Sequence, residues 1–202
     1  FKKFIKQNVF VFERIKNLEN QNSANKKKIN SLVTNFEDLL RDGKIEKIYF
    51  KKISNEKFVL NNKDFSLKKF QTNFLNTSKN INAKGTSYIE FYNNNLFLVS
   101  ATGITSYIDS SRIELNEEIY FKTIKNNLRD IIKYEDFFIN SKYGIKDIKI
   151  IDNKLYLSYT NELRKDCFNI SILSAEINYK ELFFSKFFEP VDCVLKNNNF
   201  TR

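Results

Sequence analysis

Two cysteines, Cys167 and Cys193, and two acidic doublets, Glu117-Glu118 and Glu135-Asp136, have the types to do chemistry. The cysteines stand 26 positions apart without C-x-x-C spacing, and the chain has no histidine, so a zinc site lacks both spacing and partners. Two states stay open for them: a disulfide in an oxidising compartment, or two buried thiols. General acid–base work needs two carboxylates facing one another across a cleft, whereas adjacent acids in a polar stretch read as solvated. "ATGITS", residues 101–106, supplies hydroxyls, but no histidine exists to activate Ser or Thr. A lone Gly103 is not a phosphate loop, and no Walker or dinucleotide fingerprint occurs. Tyr88, Phe91, Tyr92 and Phe97 alternate as strand packing rather than as a base-stacking platform. Arg164 and Lys165 in "NELRKDCFN" read first as a solvated turn and second as a ligand-facing loop pair. The sequence thus nominates no catalytic residue and no metal ligand, and leaves cofactor-binding residues unassigned.

These positions need strands to hold them. From Gly43 onward the apolar period is two. Residues 84–99, "KGTSYIEFYNNNLFLV", align without a gap to residues 143–158, "YGIKDIKIIDNKLYLS", at an offset of 59. Gly85 matches Gly144, Ile89 matches Ile148, Phe91 matches Ile150, Asn94 matches Asn153, and Leu96 to Leu98 match Leu155 to Leu157. A weaker first copy, residues 47–60, carries Asn55 ahead of Phe58 and Leu60. Each copy predicts a strand, a tight turn and a second strand; Asn and Asp suit such turns because they tolerate positive φ, so Asp152-Asn153 is read as a turn and not a ligand pair. "GITSYID" and "FNISILSAEIN" then supply a further strand. A recurring strand, turn, strand, further-strand unit is the pattern of a β-propeller blade. The expectation is a mainly β fold, a partial β-propeller of about three antiparallel blades over 43–202, with a plain β-sandwich or meander as the alternative. The insertion 111–142 predicts a short helix around Ile124–Ile132 or an outer strand. Propellers close with roughly four to eight blades, so about three leave an open edge. With its Phe1 start and "NNNFTR" end, the chain is expected to be a fragment.

Residues 1–42 change to a helical period. Phe4, Val11, Ile15, Leu18, Ile29, Leu32, Phe36 and Leu39 fall on three- and four-residue steps, and Asn8, Asn22 and Asn25 fill the gaps as polar layers. This predicts a helical, coiled-coil-like stalk able to self-associate through residues 4–39, or else a single packed helix or linker. "RDGK" with Gly43 is the expected stop. Residues 1–84 hold 19 Lys+Arg against 8 Asp+Glu, and residues 85–202 hold 15 against 16, so the basic excess is N-terminal. Such asymmetry suits an anionic membrane surface or nucleic acid. Codon bias weakens that inference: Lys, Asn, Ile and Phe are abundant, as in AT-rich coding sequences. No RNA- or DNA-binding motif occurs, so nucleic acid is the least favoured partner. "FKKFIKQNVFVF" is too short and charged to span a bilayer but suits the flank of an anchor.

Residues 143–196 carry a family resemblance. "DIKIIDNKLYLSYTNE", then "DCFNISILSAEIN", then "ELFFSKFFEPVDCV" resembles the early blades of soluble quinoprotein glucose/sorbosone dehydrogenase-like β-propellers. The resemblance covers about a quarter of the chain well and the hairpin at 85–108 loosely. It implies an exported, periplasmic propeller, membrane-anchored in one version, whose remaining blades complete it. It also implies pyrroloquinoline quinone (PQQ) and Ca²⁺ in the whole protein, with a histidine as general base. No residue here can take that base's role, so only the fold and export carry over. Export in turn favours the Cys167–Cys193 disulfide. The expected function is therefore a scaffold portion of such a dehydrogenase, or alternatively a non-catalytic propeller module tethered by its helix.

Overall fold

A computed structural model describes residues 18–25, 27–28, 31–32, 35–72, 87–115, 118–138, 140 and 142–195. Two compact units result, Phe1–Phe36 and Glu37–Arg202. In the first, the described residues are helical, and Leu18, Asn22, Asn25 and Leu32 are exposed. Phe4, Asn8, Val11, Ile15 and Ile29 of the heptad lie outside the described residues.

The second unit opens with helical residues 37–41, which stop at Gly43 as the sequence requires. Gly43 takes φ +68; its N–H donates to Leu40 O, and that of Lys44 to Leu39 O. This left-handed cap satisfies two carbonyls that the helix end would otherwise orphan.

The described residues after Gly43 are mainly β. One sheet holds β1 (Lys47–Leu60), β2 (Lys63–Gln71), β3 (Ser87–Tyr92), β4 (Asn95–Ser100), β5 (Thr105–Asp109) and β6 (Glu118–Asn126), in the order β2-β1-β6-β5-β4-β3. The other holds β7 (Ile145–Ile151), β8 (Lys154–Arg164), β9 (Cys167–Glu176) and β11 (Ser185–Phe188), in the order β11-β9-β8-β7, with β12 (Val194–Leu195) also on β9. These pairings are antiparallel; β10 (Glu181–Leu182) instead pairs parallel with β6 of the first sheet. In the insertion a short helix forms at Leu128–Ile131, within the expected Ile124–Ile132, and a 3-10 turn follows at Glu135–Phe138; the strand there, β6, is not an outer one but lies between β1 and β5.

The repeat is real at the level of register. Ile89 opposes Leu98 and Ile148 opposes Leu157; Phe91 opposes Leu96 and Ile150 opposes Leu155. Both hairpins turn on two positive-φ residues, Asn93-Asn94 (φ 44 and 62) and Asp152-Asn153 (φ 48 and 63). Consecutive left-handed residues match the right-handed twist of flanking strands. Residues 47–60, however, are not a third copy. Strand β1 runs unbroken through Asn55, which opposes Lys68, and the turn comes later at Asn61-Asn62 (φ 50 and 58). Lysines surround Asn55 and it has a ladder partner, so the chain does not reverse there. Three blades are accordingly not evident.

The core lies between the sheets. Phe97, Val99 and Ile124 of the first face Ile148, Leu155, Leu157, Tyr159, Leu173 and Ala175 of the second, with Phe137, Phe138, Leu182 and Phe184 closing the ends. The edge strands β3 and β7, equivalent in the repeat, lie side by side. Lys149 Nζ bonds Glu90 Oε1 at 2.5 Å, a contact between positions 59 apart. Tyr88 OH donates to Ile145 O at 2.9 Å and Tyr92 OH to Asn153 Oδ1 at 2.9 Å. Gly144 admits the closest approach: a Cβ there would fall 1.9 Å from Ala101 O. Its repeat partner Gly85 lies outside the described residues.

Candidate interaction surface

The residues nominated for chemistry are engaged in structure. Glu135 accepts from Arg129 Nη1 at 2.8 Å, and Asp136 accepts from Tyr134 OH at 2.7 Å. Glu118 sits across the ladder from Lys51, and Glu117 lies outside the described residues. The hydroxyls around "ATGITS" are buried and paired: Thr105 Oγ1 donates to Ile124 O, Ser106 Oγ to Leu98 O, and Ser100 Oγ meets Thr102 Oγ1. Arg164 and Lys165 border a turn whose Asp166 has φ 59. Tyr88 and Tyr92 are half-buried toward β7, Phe97 is core, and Phe91 is exposed. A disulfide joins Cys167 to Cys193 with Cα atoms 5.4 Å apart.

The most strongly ionic buried cluster has a positioning role. Arg41, 1% exposed, donates to Thr102 O at 2.9 Å and to Asp38 Oδ1 at 2.7 Å. Arg129 Nε also reaches Asp38 Oδ1, at 3.0 Å. The Phe138 ring lies 5.0 Å from the Arg41 guanidinium and 3.9 Å from that of Arg129. Burial works to raise the Asp38 carboxyl, but its bonds to the two arginines prevail and hold it below its ordinary value. Burial depresses Arg41 despite the same partner. The cluster fixes the helix end onto the 101–103 turn and is packed rather than accessible.

What the sequence did not single out is an exposed face of the first sheet. Alternation puts Lys47, Tyr49 and Lys51 of β1 on one side, and the ladder sets them opposite Lys122, Tyr120 and Glu118 of β6. Tyr107 of β5 extends the Lys122 row. The Tyr49 and Tyr120 rings are 6.0 Å apart. Lys47 Nζ lies 4.7 Å from the Tyr120 ring centre, and Arg112 Nη1 donates to Tyr120 OH at 2.9 Å. Cations held over an aromatic face are attracted by its quadrupole, which orders long side chains that would otherwise swing. A depression of about 210 Å³ lies between Asn95, Tyr107, Asp109, Arg112, Tyr120 and Lys122. Another of about 630 Å³ follows the face outward past Tyr49, Lys51, Ile53, Gln71 and Glu118. Hydrogen bonds from the Ser111 hydroxyl and N–H hold the Asp109 carboxyl below its ordinary value, so it stays charged at neutral pH. The signal was present as Lys-x-Tyr-x-Lys at 47–51 and Tyr-x-Lys at 120–122, but their juxtaposition needs the β1–β6 pairing.

Beyond Lys51 the β1–β2 hairpin leaves the sheet as a ribbon, because the β1–β6 ladder ends at Lys51–Glu118. A register shift between Lys52 and Ser54 turns the strand. On one side of the ribbon Phe58 opposes Phe65, Glu56 opposes Leu67, and Leu60 opposes Lys63. The two phenyl rings stack 5.6 Å apart. Among the described residues no three His, Cys, Asp or Glu side chains cluster as a cation site, and no helix is long and apolar enough to cross a membrane. No family model, no curated protein and no solved structure matches the chain.

Proposed function

We propose that residues 43–202 provide blades of an exported β-propeller, resembling the quinoprotein glucose/sorbosone dehydrogenase-like kind, and that they act as a non-catalytic scaffold and binding module. One observation carries this reading. Two four-stranded meanders, β3–β6 and β7–β8–β9–β11, begin with hairpins of the same register, and their first strands lie side by side through Glu90 and Lys149. Neighbouring first strands are what adjacent blades present around a propeller axis. The Cys167–Cys193 bond supports an oxidising, extracytoplasmic setting. Exposed Leu18 and Leu32 on helical residues support a self-associating stalk beside a membrane.

The residues present do not suit PQQ chemistry or its Ca²⁺. The chain has no histidine, Glu135, Asp136 and Asp38 are engaged by Arg129, Tyr134 and Arg41, and among the described residues no three His, Cys, Asp or Glu side chains converge. No catalytic step is assigned to them. Distances between paired spin labels on the two meanders test the blade reading: blades of a four- to eight-bladed propeller are related by rotations of about 45–90°. A relation near that of a face-to-face sandwich would refute it. Calorimetric titration with PQQ and Ca²⁺ tests the non-catalytic reading; saturable binding of both to this chain would overturn it.

A further inference from the structure

We propose that the β1–β2 ribbon is a membrane-docking element that lays its Phe58–Phe65 side into an anionic lipid surface. This goes beyond the scaffold reading and stands whether or not the meanders are propeller blades. In the strand ladders residues 54–60 pair with 63–69, and the ladder to β6 ends before them at Lys51. An isolated two-stranded hairpin is marginal in water, and this one exposes its apolar side to it. Phe58, Leu60, Phe65 and Leu67 are 46%, 56%, 43% and 45% exposed, and Val59 beside the turn is 67% exposed.

Charge selects the partner. Residues 51–71 carry six lysines (51, 52, 57, 63, 68 and 69) against Glu56 and Asp64, and Lys69 pairs with Glu56 at 2.6 Å. A second copy on this ribbon would set lysines against lysines. A single-stranded nucleic acid would need open aromatic planes along a track, but half the apolar row is aliphatic and the two phenyl rings lie on one another. A bilayer interface accepts aliphatic and aromatic groups together, while lysine stems extend toward lipid phosphates. Lys47, Lys51 and Lys122 continue the basic track along the sheet, so the docked surface extends beyond the ribbon.

The chain contains no tryptophan, so Phe58→Trp in the full chain gives a single reporter at the contact. Vesicles mixing phosphatidylglycerol with phosphatidylcholine should shift its emission to the blue, brominated lipid should quench it, and pure phosphatidylcholine should do neither. Lys51→Gln and Lys63→Gln, both on the Phe58–Phe65 side, should each weaken partitioning about fivefold in that background, since one lysine near an anionic surface contributes about that factor. Circular dichroism and the melting temperature, unchanged in these exposed variants, exclude misfolding. The proposal is overturned by an absent shift on anionic vesicles, or by lysine variants that partition like the parent. A lipid-free shift that grows with protein concentration would assign the face to a second copy. Tighter binding to an oligothymidylate than to anionic vesicles at equal salt would assign it to nucleic acid.

Discussion

Gly144→Ala should unfold the seam between the two sheets. The added Cβ would sit 1.9 Å from Ala101 O and 2.8 Å from its carbonyl carbon, and both are backbone atoms that no rotamer can move. Contact becomes ordinary at 3.4 Å, so the chains must separate by about 1.5 Å, the difference from 1.9 Å. That movement breaks the bond from Ile145 N–H to Ala101 O (2.8 Å) and strains the one from Thr160 N–H to Gly144 O (3.3 Å). Each is worth about 1 kcal/mol net. Forcing apart the packing around the fully buried Ile145 adds about 1–3 kcal/mol. The sum, about 3–5 kcal/mol, lowers the melting temperature of a domain this size by about 6–20 °C. Thermal unfolding followed by circular dichroism, beside an exposed Lys154→Ala control, measures it. A variant melting within about 2 °C of the parent would show that the approach of Gly144 to Ala101 is not a structural constraint.

Reducing the Cys167–Cys193 bond, which spans 26 residues, should cost about 3.5 kcal/mol on the chain-entropy account; coincident urea midpoints with and without reductant would contradict it. Asp38 has a folded pKa below its unfolded value of 3.8, so its contribution is complete above that value and is lost as pH falls through the folded one. Asp38→Asn should therefore flatten the acid limb of a melting-temperature profile, and an unchanged limb would count against the arginine clasp. Lys149→Glu should destabilise by at most about 1 kcal/mol, because the lysine is exposed, and Glu90→Lys should recover part of it in a double-mutant cycle. Asn127→Ala removes the side chain that donates to Phe184 O at 3.1 Å and accepts from Phe184 N–H at 2.7 Å; leaving both buried groups unpaired should cost about 2–4 kcal/mol in urea unfolding.

The second half of the chain was legible because its signals are local. Period-two alternation and the Asp152-Asn153 dipeptide define a hairpin within 20 residues, and the 59-residue offset names its twin. The failure at Asn55 has the same root. Asn tolerates a turn without demanding one, and the stronger pair of turn residues, Asn61-Asn62, stood six positions later. The Lys47–Tyr120 face was illegible for a different reason. Its strands lie some 70 residues apart, and no local rule says that β1 pairs with β6 ahead of β3. The arginine pair around Phe138 draws on positions 41, 129 and 138, and nothing in its composition sets it apart from ordinary surface charge.

The crossing made by β10 has a consequence for how the molecule comes apart. The chain leaves β9 in one sheet, places Glu181–Leu182 against β6 in the other, is gripped at Phe184 by Asn127, and returns as β11 to the sheet it left. It is a stitch. The segment ties β11, at the edge of one sheet, to β6, an inner strand of the other, so the 59-residue unit is not an autonomous foldon that could be excised intact. Slowly exchanging amides in β6, β8 and β9 should share one opening free energy, and a protease should find no stable half-molecule between intact protein and small peptides.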